Sequence, residues 1–244
     1  MPRESGASSN HRGKICREGV PTTERVGYWI ARSSRAMTME NTLGLVLAGG
    51  LARRMGGGDK ARIRIGGTTI LDRVLVRMKP QCCALIINAN GDPVRFADAA
   101  LPVVPDSVPD FAGPLAGILV GLDWAAAHAP HVVDIASVPG DCPFLPKNLV
   151  ERLHAARAAS GQPLACARSG EWRHPVVGLW PMALRENLRK ALFEEGLHKI
   201  ETWTARHGVA IAEWPDTPVD PFFNVNAPED VAAAERMAAD QRDA

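Results

Sequence analysis

Leu47-Ala48-Gly49-Gly50-Leu51-Ala52-Arg53-Arg54-Met55-Gly56-Gly57-Gly58-Asp59-Lys60 follows directly on the apolar run Leu43-Gly44-Leu45-Val46. Five of these fourteen residues are glycine, and two arginines and a lysine accompany them. A short, continuous apolar run is what a buried parallel strand gives. Glycine-rich backbone after it can take positive φ and approach a ligand with no Cβ in the way. Successive exposed N–H groups form an anion-binding concavity. Arg53, Arg54 and Lys60 add charge-assisted hydrogen bonds, arginine gripping two oxygens at once. The segment reads as a strand that ends in a phosphate cradle.

Two other phosphate loops are excluded. A Walker A loop needs Gly-Lys-Ser/Thr, whereas Asp59 precedes Lys60 and Ala61 follows it. A dinucleotide fold needs G-x-G-x-x-G opening a helix, a spacing that Gly49-Gly50-Leu51-Ala52-Arg53 breaks.

Outward from the loop, strand and helix signals alternate. Ile70, Val74, Leu75 and Met78 share a helical face, and Pro80 ends that helix. Ala84–Ile87, Leu101–Val104 and Val132–Val138 read as strands, with a helix over Gly117–Ala127. Further on, Asn148–Ala159, Met182–Phe193 and Lys199–His207 read as helices, and Leu164–Ala167, Pro175–Trp180 and Val209–Trp214 as strands. Phe222–Val225 is expected to close the sheet, before a last helix over Pro228–Asp240 with proline near its first turn. Such alternation predicts an α/β fold: a single three-layer α/β/α domain on a mostly parallel twisted sheet.

In such a sheet, ligands sit outside the carboxyl ends of the strands. Four consecutive strands end in polar residues: Gly49-Gly50, Asn88-Ala89-Asn90, Asp106 and Gly140-Asp141. They are expected to converge on one crevice. Asp141, between Gly140 and Cys142-Pro143, suits a magnesium carboxylate, although a GDCP segment by itself is equally a turn aspartate capping backbone. Asp106 can accept from the N1–H and N2–H₂ edge of guanine, help hold a metal, or form an Asx-turn. Asn88 and Asn90 can each donate and accept, and Asn90 can equally serve only to shape its loop.

Gly-Gly, three residues, Arg-Met-Gly and then Asp-Lys resembles the signature loop of nucleotidyltransferases related to sugar-phosphate uridylyl- and cytidylyltransferases. The pattern LAGG-x-x-x-RMGG-x-DK is most similar to that of the molybdenum cofactor guanylyltransferases, and the resemblance covers roughly residues 42–235. It implies a nucleotide-diphospho-sugar-transferase-like, Rossmann-like fold and transfer of GMP from GTP to molybdopterin with loss of pyrophosphate. Cytidylyl counterparts more often carry LAAG and NK, so Gly49 and Asp59 lean toward guanine, with CTP the alternative substrate. By this resemblance Leu47, Ala48, Gly49, Gly50, Lys60, Asn88, Asp106 and Asp141 bind GTP. Asp141, Lys60 and Arg54 carry catalysis, and Asp141, matching the D-x-P metal site, holds Mg²⁺. The segment Phe222–Asp230 is similar to the FxNxNxPED ending of the family, whose amides, here Asn224 and Asn226, face molybdopterin; read as alternating on a strand, they point the same way. Arg173–Gly178 also resembles a family segment, with His174 either functional or a satisfied core histidine. Transient contact with molybdenum-insertion and molybdoenzyme-maturation proteins is implied, and a monomer is expected. A rival from another class is a GTP-binding regulatory module that keeps the fold without transfer.

Composition excludes other classes. With 28 Lys plus Arg against 27 Asp plus Glu, a net charge of +1 gives no global pull toward nucleic acid or an acidic membrane. The seven tryptophan and tyrosine residues are scattered and build no stacking platform for RNA. No apolar run approaches the roughly 20 residues of a membrane span. Cys16, Cys82, Cys83, Cys142 and Cys166 form no C-x-x-C pair and read as reduced, mostly buried thiols of a cytoplasmic protein. Residues 1–40, rich in Ser, Arg and Gly without periodicity, are expected to be a disordered or non-native extension outside the 41–244 domain. The acidic residues Glu4, Glu18, Glu24 and Glu40 count against a transit peptide.

Overall fold

Strand β1 (Thr42–Leu47), buried at all but its last residue, lies in the interior of a seven-stranded sheet. The computed structural model describes residues 40–49, 60–107 and 113–240. After the glycine-rich loop comes a small hairpin of β2 (Arg64–Ile65) and β3 (Thr68–Thr69), then α1 (Ile70–Met78). Thr69 caps α1 by accepting from the Asp72 N–H at 3.0 Å. The chain continues through β4 (Ala84–Asn88), β5 (Val103–Val104), α2 (Pro114–His128), β6 (Asp134–Pro139) and α3 (Leu149–Ser160). The remaining elements are β7 (Leu164–Ser169), β8 (Trp172–Pro181), α4 (Arg185–Phe193), α5 (Ile200–Ala205), β9 (Val209–Trp214) and α6 (Pro228–Asp240).

Sheet order is β5-β4-β1-β6-β8-β7-β9. All neighbours run parallel except β8, which is antiparallel to both β6 and β7. The cause is local: β7 and β8 are joined only by Gly170-Glu171, and two residues can reverse a chain but cannot return it to a parallel start. Helices cover both faces. Val74, Leu75 and Met78 of α1 and Leu149 and Leu153 of α3 pack with Val46, Ile87 and Val138. On the other face Ile118, Leu119 and Leu122 of α2, with Leu188, Leu192, Ile200 and Trp203, cover Leu43, Leu45, Ile86 and Ile135. Each such side chain, wholly buried, contributes about 1.5–3 kcal/mol. A third cluster, Ile65, Ile70, Phe144, Val225, Ala234 and Ala238, fastens α6 to the small hairpin and to the loop after β6.

The expected strand at Phe222–Val225 does not form. Its backbone donors are taken one by one: Phe222 N–H by the Asp220 carboxylate (2.9 Å), Phe223 N–H by Asp220 O (3.2 Å) and Val225 N–H by Asp141 O (3.0 Å). Asn224 and Asn226 therefore do not alternate on a strand. The strand expected over Leu101–Val104 is only two residues long, β5, and the helix expected from Met182 opens with a 3₁₀ turn, Met182–Leu184. At the amino edge of the sheet Arg157 grips Asp134 with bonds of 2.5 and 2.6 Å, and His154 bridges Arg157 to Thr42. Among the described residues no helix is long and apolar enough to cross a membrane, and Cys82, Cys142 and Cys166 are buried while Cys83 is exposed.

Candidate active site

The ends of β1 and β6 close on each other at the carboxyl edge. Leu47 O accepts from Gly140 N–H at 2.9 Å, and Ala48 N–H donates to Asn88 O at 2.9 Å. A Cβ at Gly140 would stand 3.3 Å from both Ala48 Cβ and Leu47 O, so a side chain there would force the junction to give by a few tenths of an ångström. Gly49 is exposed, with no atom of a described residue other than its chain neighbours within 4 Å of where a Cβ would lie, and its φ is not positive. Glycine is therefore not required there by a left-handed turn. Gly50, Arg53 and Arg54 lie outside the described residues. A cation that the sequence reading missed stands at the same corner: Arg95, in the turn after β4, donates to Ala48 O at 3.3 Å and lies over the Phe96 ring. Its only signal was its position just beyond a polar strand end.

Asp141 follows directly on that junction. Its Oδ1 is buried and has no hydrogen-bond partner among the described residues. Burial pushes its carboxyl above the usual carboxylate range, and the Lys60 ammonium pulls it part of the way back. An orphaned, buried carboxylate oxygen beside a cation is costly unless something else meets it. No group of three or more His, Cys, Asp or Glu among the described residues could hold a metal unaided. One carboxylate with space for water and phosphate oxygens is the donor set that magnesium takes on a nucleotide. The residues present thus fit a divalent cation at Asp141.

Lys60 Nζ donates to Asn226 Oδ1 at 2.7 Å. Asn226 is held in turn at the start of α6, where one Asp230 oxygen accepts the backbone N–H of both Asn226 and Ala227 at 2.8 Å. This is the carboxylate half of a capping box. Asn224, exposed, takes a different partner: its Oδ1 accepts the Cys142 thiol at 2.6 Å, and burial keeps that thiol protonated. The two amides thus take different partners, Cys142 for Asn224 and Lys60 for Asn226.

On the other wall, buried Asn88 donates from Nδ2 to Val104 O (3.1 Å) and to Asp106 Oδ1 (2.9 Å). Helix α2 starts beside it with Gly117, where a Cβ would come within 2.4 Å of Asn88 Oδ1. His174 has its Nε2 on Ser169 Oγ at 2.7 Å and its ring against Phe222, and burial lowers its pKa. It is a satisfied half-buried histidine at the rim.

The chemistry of these groups suits a nucleotide: exposed glycine backbone at Gly49, a lone buried carboxylate at Asp141 and an aspartate held by two amides at Asp106. The class that they and the fold define is the α/β nucleotidyltransferases. A family profile for the MobA-like NTP transferase domain matches residues 44–211. The molybdenum cofactor guanylyltransferase of Nitrobacter hamburgensis is 58% identical over 205 residues, 83% of this chain and 98% of that protein. That of a Bradyrhizobium species is 59% identical over 202 residues, covering 82% and 95%. The solved structure of molybdopterin-guanine dinucleotide biosynthesis protein A from Archaeoglobus fulgidus shares the fold, with a TM-score of 0.63 at 20% identity over 81% of this chain and 99% of that one. The chain belongs to the MobA-like NTP transferase family, among the molybdenum cofactor guanylyltransferases.

Proposed function

We propose that this protein transfers GMP from GTP to the terminal phosphate of molybdopterin, forming the guanine dinucleotide cofactor and releasing pyrophosphate, with Mg²⁺ held at Asp141. The observation that carries the reading is the buried Asp141 oxygen without a partner, beside Lys60 and directly after the β1–β6 junction. Bound there, Mg²⁺ would neutralise triphosphate charge as pyrophosphate departs. Phosphate oxygens would meet the backbone at Gly49, where Leu47 and Ala48, tied to Gly140 and Asn88, fix the end of β1, and Gly50 and Arg54 would extend that grip. Lys60 keeps one ammonium proton on Asn226 and has others for phosphate. Asn88 and Asp106 face the nucleoside, and Asn224 and Asn226 the acceptor.

In the transfer an oxygen of the molybdopterin phosphate attacks the α-phosphorus in line. The new P–O bond forms as the bond to the bridging oxygen breaks, and the electron pair leaves with pyrophosphate. The nucleophile is already an anion, so no general base is required. Catalysis is then positioning and charge stabilisation. Molybdenum-insertion proteins would hand over the acceptor and maturation proteins take the product, with a monomer as the working unit and residues 1–40 dispensable.

The test follows label from α-phosphate-labelled GTP into molybdopterin, with magnesium, using the full chain and a chain starting at Met39. Asp141→Ala should lower turnover by much more than tenfold; survival within tenfold, about 1.4 kcal/mol in the barrier, removes the metal role. Preference for CTP would reassign the base, and tight GTP binding without label transfer would point to a regulatory module.

A further inference from the structure

The last backbone rung between β4 and β5 runs from Ala89 N–H to Val104 O at 3.1 Å. Beyond it the strands have ended, yet pairing continues through a side chain. Asn90 Oδ1 accepts Asp106 N–H at 2.8 Å, and Asn90 Nδ2 donates to Asp106 Oδ2 at 2.8 Å. Because a backbone N–H can only donate, the Asn90 amide orientation is fixed. Asn88 supplies the matching donor to the other oxygen, Oδ1, and is itself anchored on Val104 O.

We propose that Asn90 is a positioning residue that sets base specificity by fixing the plane of the Asp106 carboxylate; this rests on the reading that Asp106 meets the base of a bound nucleotide. Each carboxylate oxygen has about two acceptor positions, and here one on each is filled by an amide. Each oxygen keeps a second acceptor position for a ligand. Two parallel acceptors match two adjacent donors, the N1–H and N2–H₂ of guanine, an edge that adenine and cytosine do not present. A carboxylate free to rotate would meet one of these donors at a time. Held on both oxygens it meets both, without ordering the side chain at the moment of binding. Asn88 is buried, whereas Asn90 is exposed and its amide makes the reciprocal pair.

The experiment compares GTP with ITP, which lacks only the 2-amino group, by calorimetric binding to the full chain with magnesium. The wild type should prefer GTP by about tenfold or more, the worth of a hydrogen bond to a charged group. Asn90→Leu removes both contacts; Asn90→Asp keeps an acceptor for the Asp106 N–H but sets a second carboxylate against Oδ2. In either variant the GTP/ITP ratio should collapse to within about threefold of one, with ITP affinity nearly unchanged. If both nucleotides weaken together and the ratio persists, Asn90 only supports the loop and the proposal is overturned. A wild type that binds GTP and ITP equally instead refutes base reading by Asp106, and Asn90 falls with it. Using two variants guards against misfolding in one, which the thermal transition of each reports.

Discussion

Replacing Gly117 by alanine tests whether the nucleotide wall is as rigid as its hydrogen bonds imply. In an exposed helix the change would stabilise by about 1 kcal/mol through helix propensity. Here the new Cβ would stand 2.4 Å from Asn88 Oδ1 and 2.6 Å from Leu47 Cδ2. Both must retreat by about an ångström to reach ordinary contact. Asn88 cannot do so cheaply, because its Nδ2 is tied to Val104 O and to Asp106. Overpacking of this kind costs about 1–3 kcal/mol, and one strained or lost hydrogen bond adds about 1 kcal/mol. Set against the propensity gain, Gly117→Ala should destabilise by about 1–3 kcal/mol, a fall in Tm of roughly 3–10 °C for a domain of this size. Urea unfolding measures the first, and GTP binding, expected to weaken several-fold, the second. In an Asn88→Ala background the clash with the amide disappears, so the cost of Gly117→Ala should shrink in a double-mutant cycle. A Gly117→Ala protein as stable as the wild type, with unchanged GTP affinity, would refute the reasoning.

Three other perturbations follow from the same geometry. Activity should fall on the acid side at a pH above that of an ordinary carboxylate, because burial raises the Asp141 pKa and only the ionised form binds a cation; raising magnesium should move that limb to lower pH, as pH–rate profiles at two magnesium concentrations would reveal. Lys60→Met and Asn226→Ala should each raise KM for GTP or for the acceptor, and the pair should be non-additive by about 0.5–2 kcal/mol, since their side chains bond directly; strict additivity would mean that the bond is idle. His154, whose pKa burial lowers from 6.5 to about 4, is neutral in the folded chain but titrates near 6.5 when unfolded. Its contribution is whole above pH 6.5 and is lost as pH falls toward 4, on the order of 3 kcal/mol in total. Unfolding free energies at pH 7 and pH 4 should differ by that much less in His154→Leu than in the wild type.

What was legible in the sequence follows from what a parallel sheet demands. Buried strands are continuous apolar runs, so β1, β4, β6, β7 and β9 announced themselves, and the topology then forced their polar ends onto one edge. Gly49, Asn88, Asp106 and Asp141 could be gathered by that rule alone, before any partner was known. The reversal of β8 could not, because its cause is a two-residue turn at Gly170-Glu171 hidden between polar strand ends, Arg168-Ser169 and Trp172-Arg173. Nor could the separate paths of Asn224 and Asn226. Both sit in a segment with alternating apolar residues, yet its backbone donors are claimed by Asp220, Asp141 and Asp230, each set by tertiary position. Asparagine side chains donate and accept alike, so their partners are decided by neighbours that periodicity does not report. Arg95 escaped for a similar reason: it reaches Ala48 O from a 3₁₀ turn of no repeating pattern.

Lys60 is where these strands of reasoning meet. It closes the glycine-rich loop, yet its ammonium is held by Asn226, at the opposite end of the chain, whose backbone is clamped by Asp230. The small hairpin that follows Lys60 and the helix that follows Asn226 belong to one apolar cluster, which also contains Phe144 from the loop after Asp141. Three segments far apart in sequence are thereby fixed around one carboxylate. An ammonium has three protons, and the bond to Asn226 uses one. A phosphate arriving on the others need not break it, so under the proposed reading the group that would grip the donor nucleotide stays attached to the amide proposed for the acceptor side. Under that proposal, placing the acceptor against a settled triphosphate would require no large movement, which is what a reaction without a general base would depend on: two anions held in line, with the charge between them offset before the bond forms.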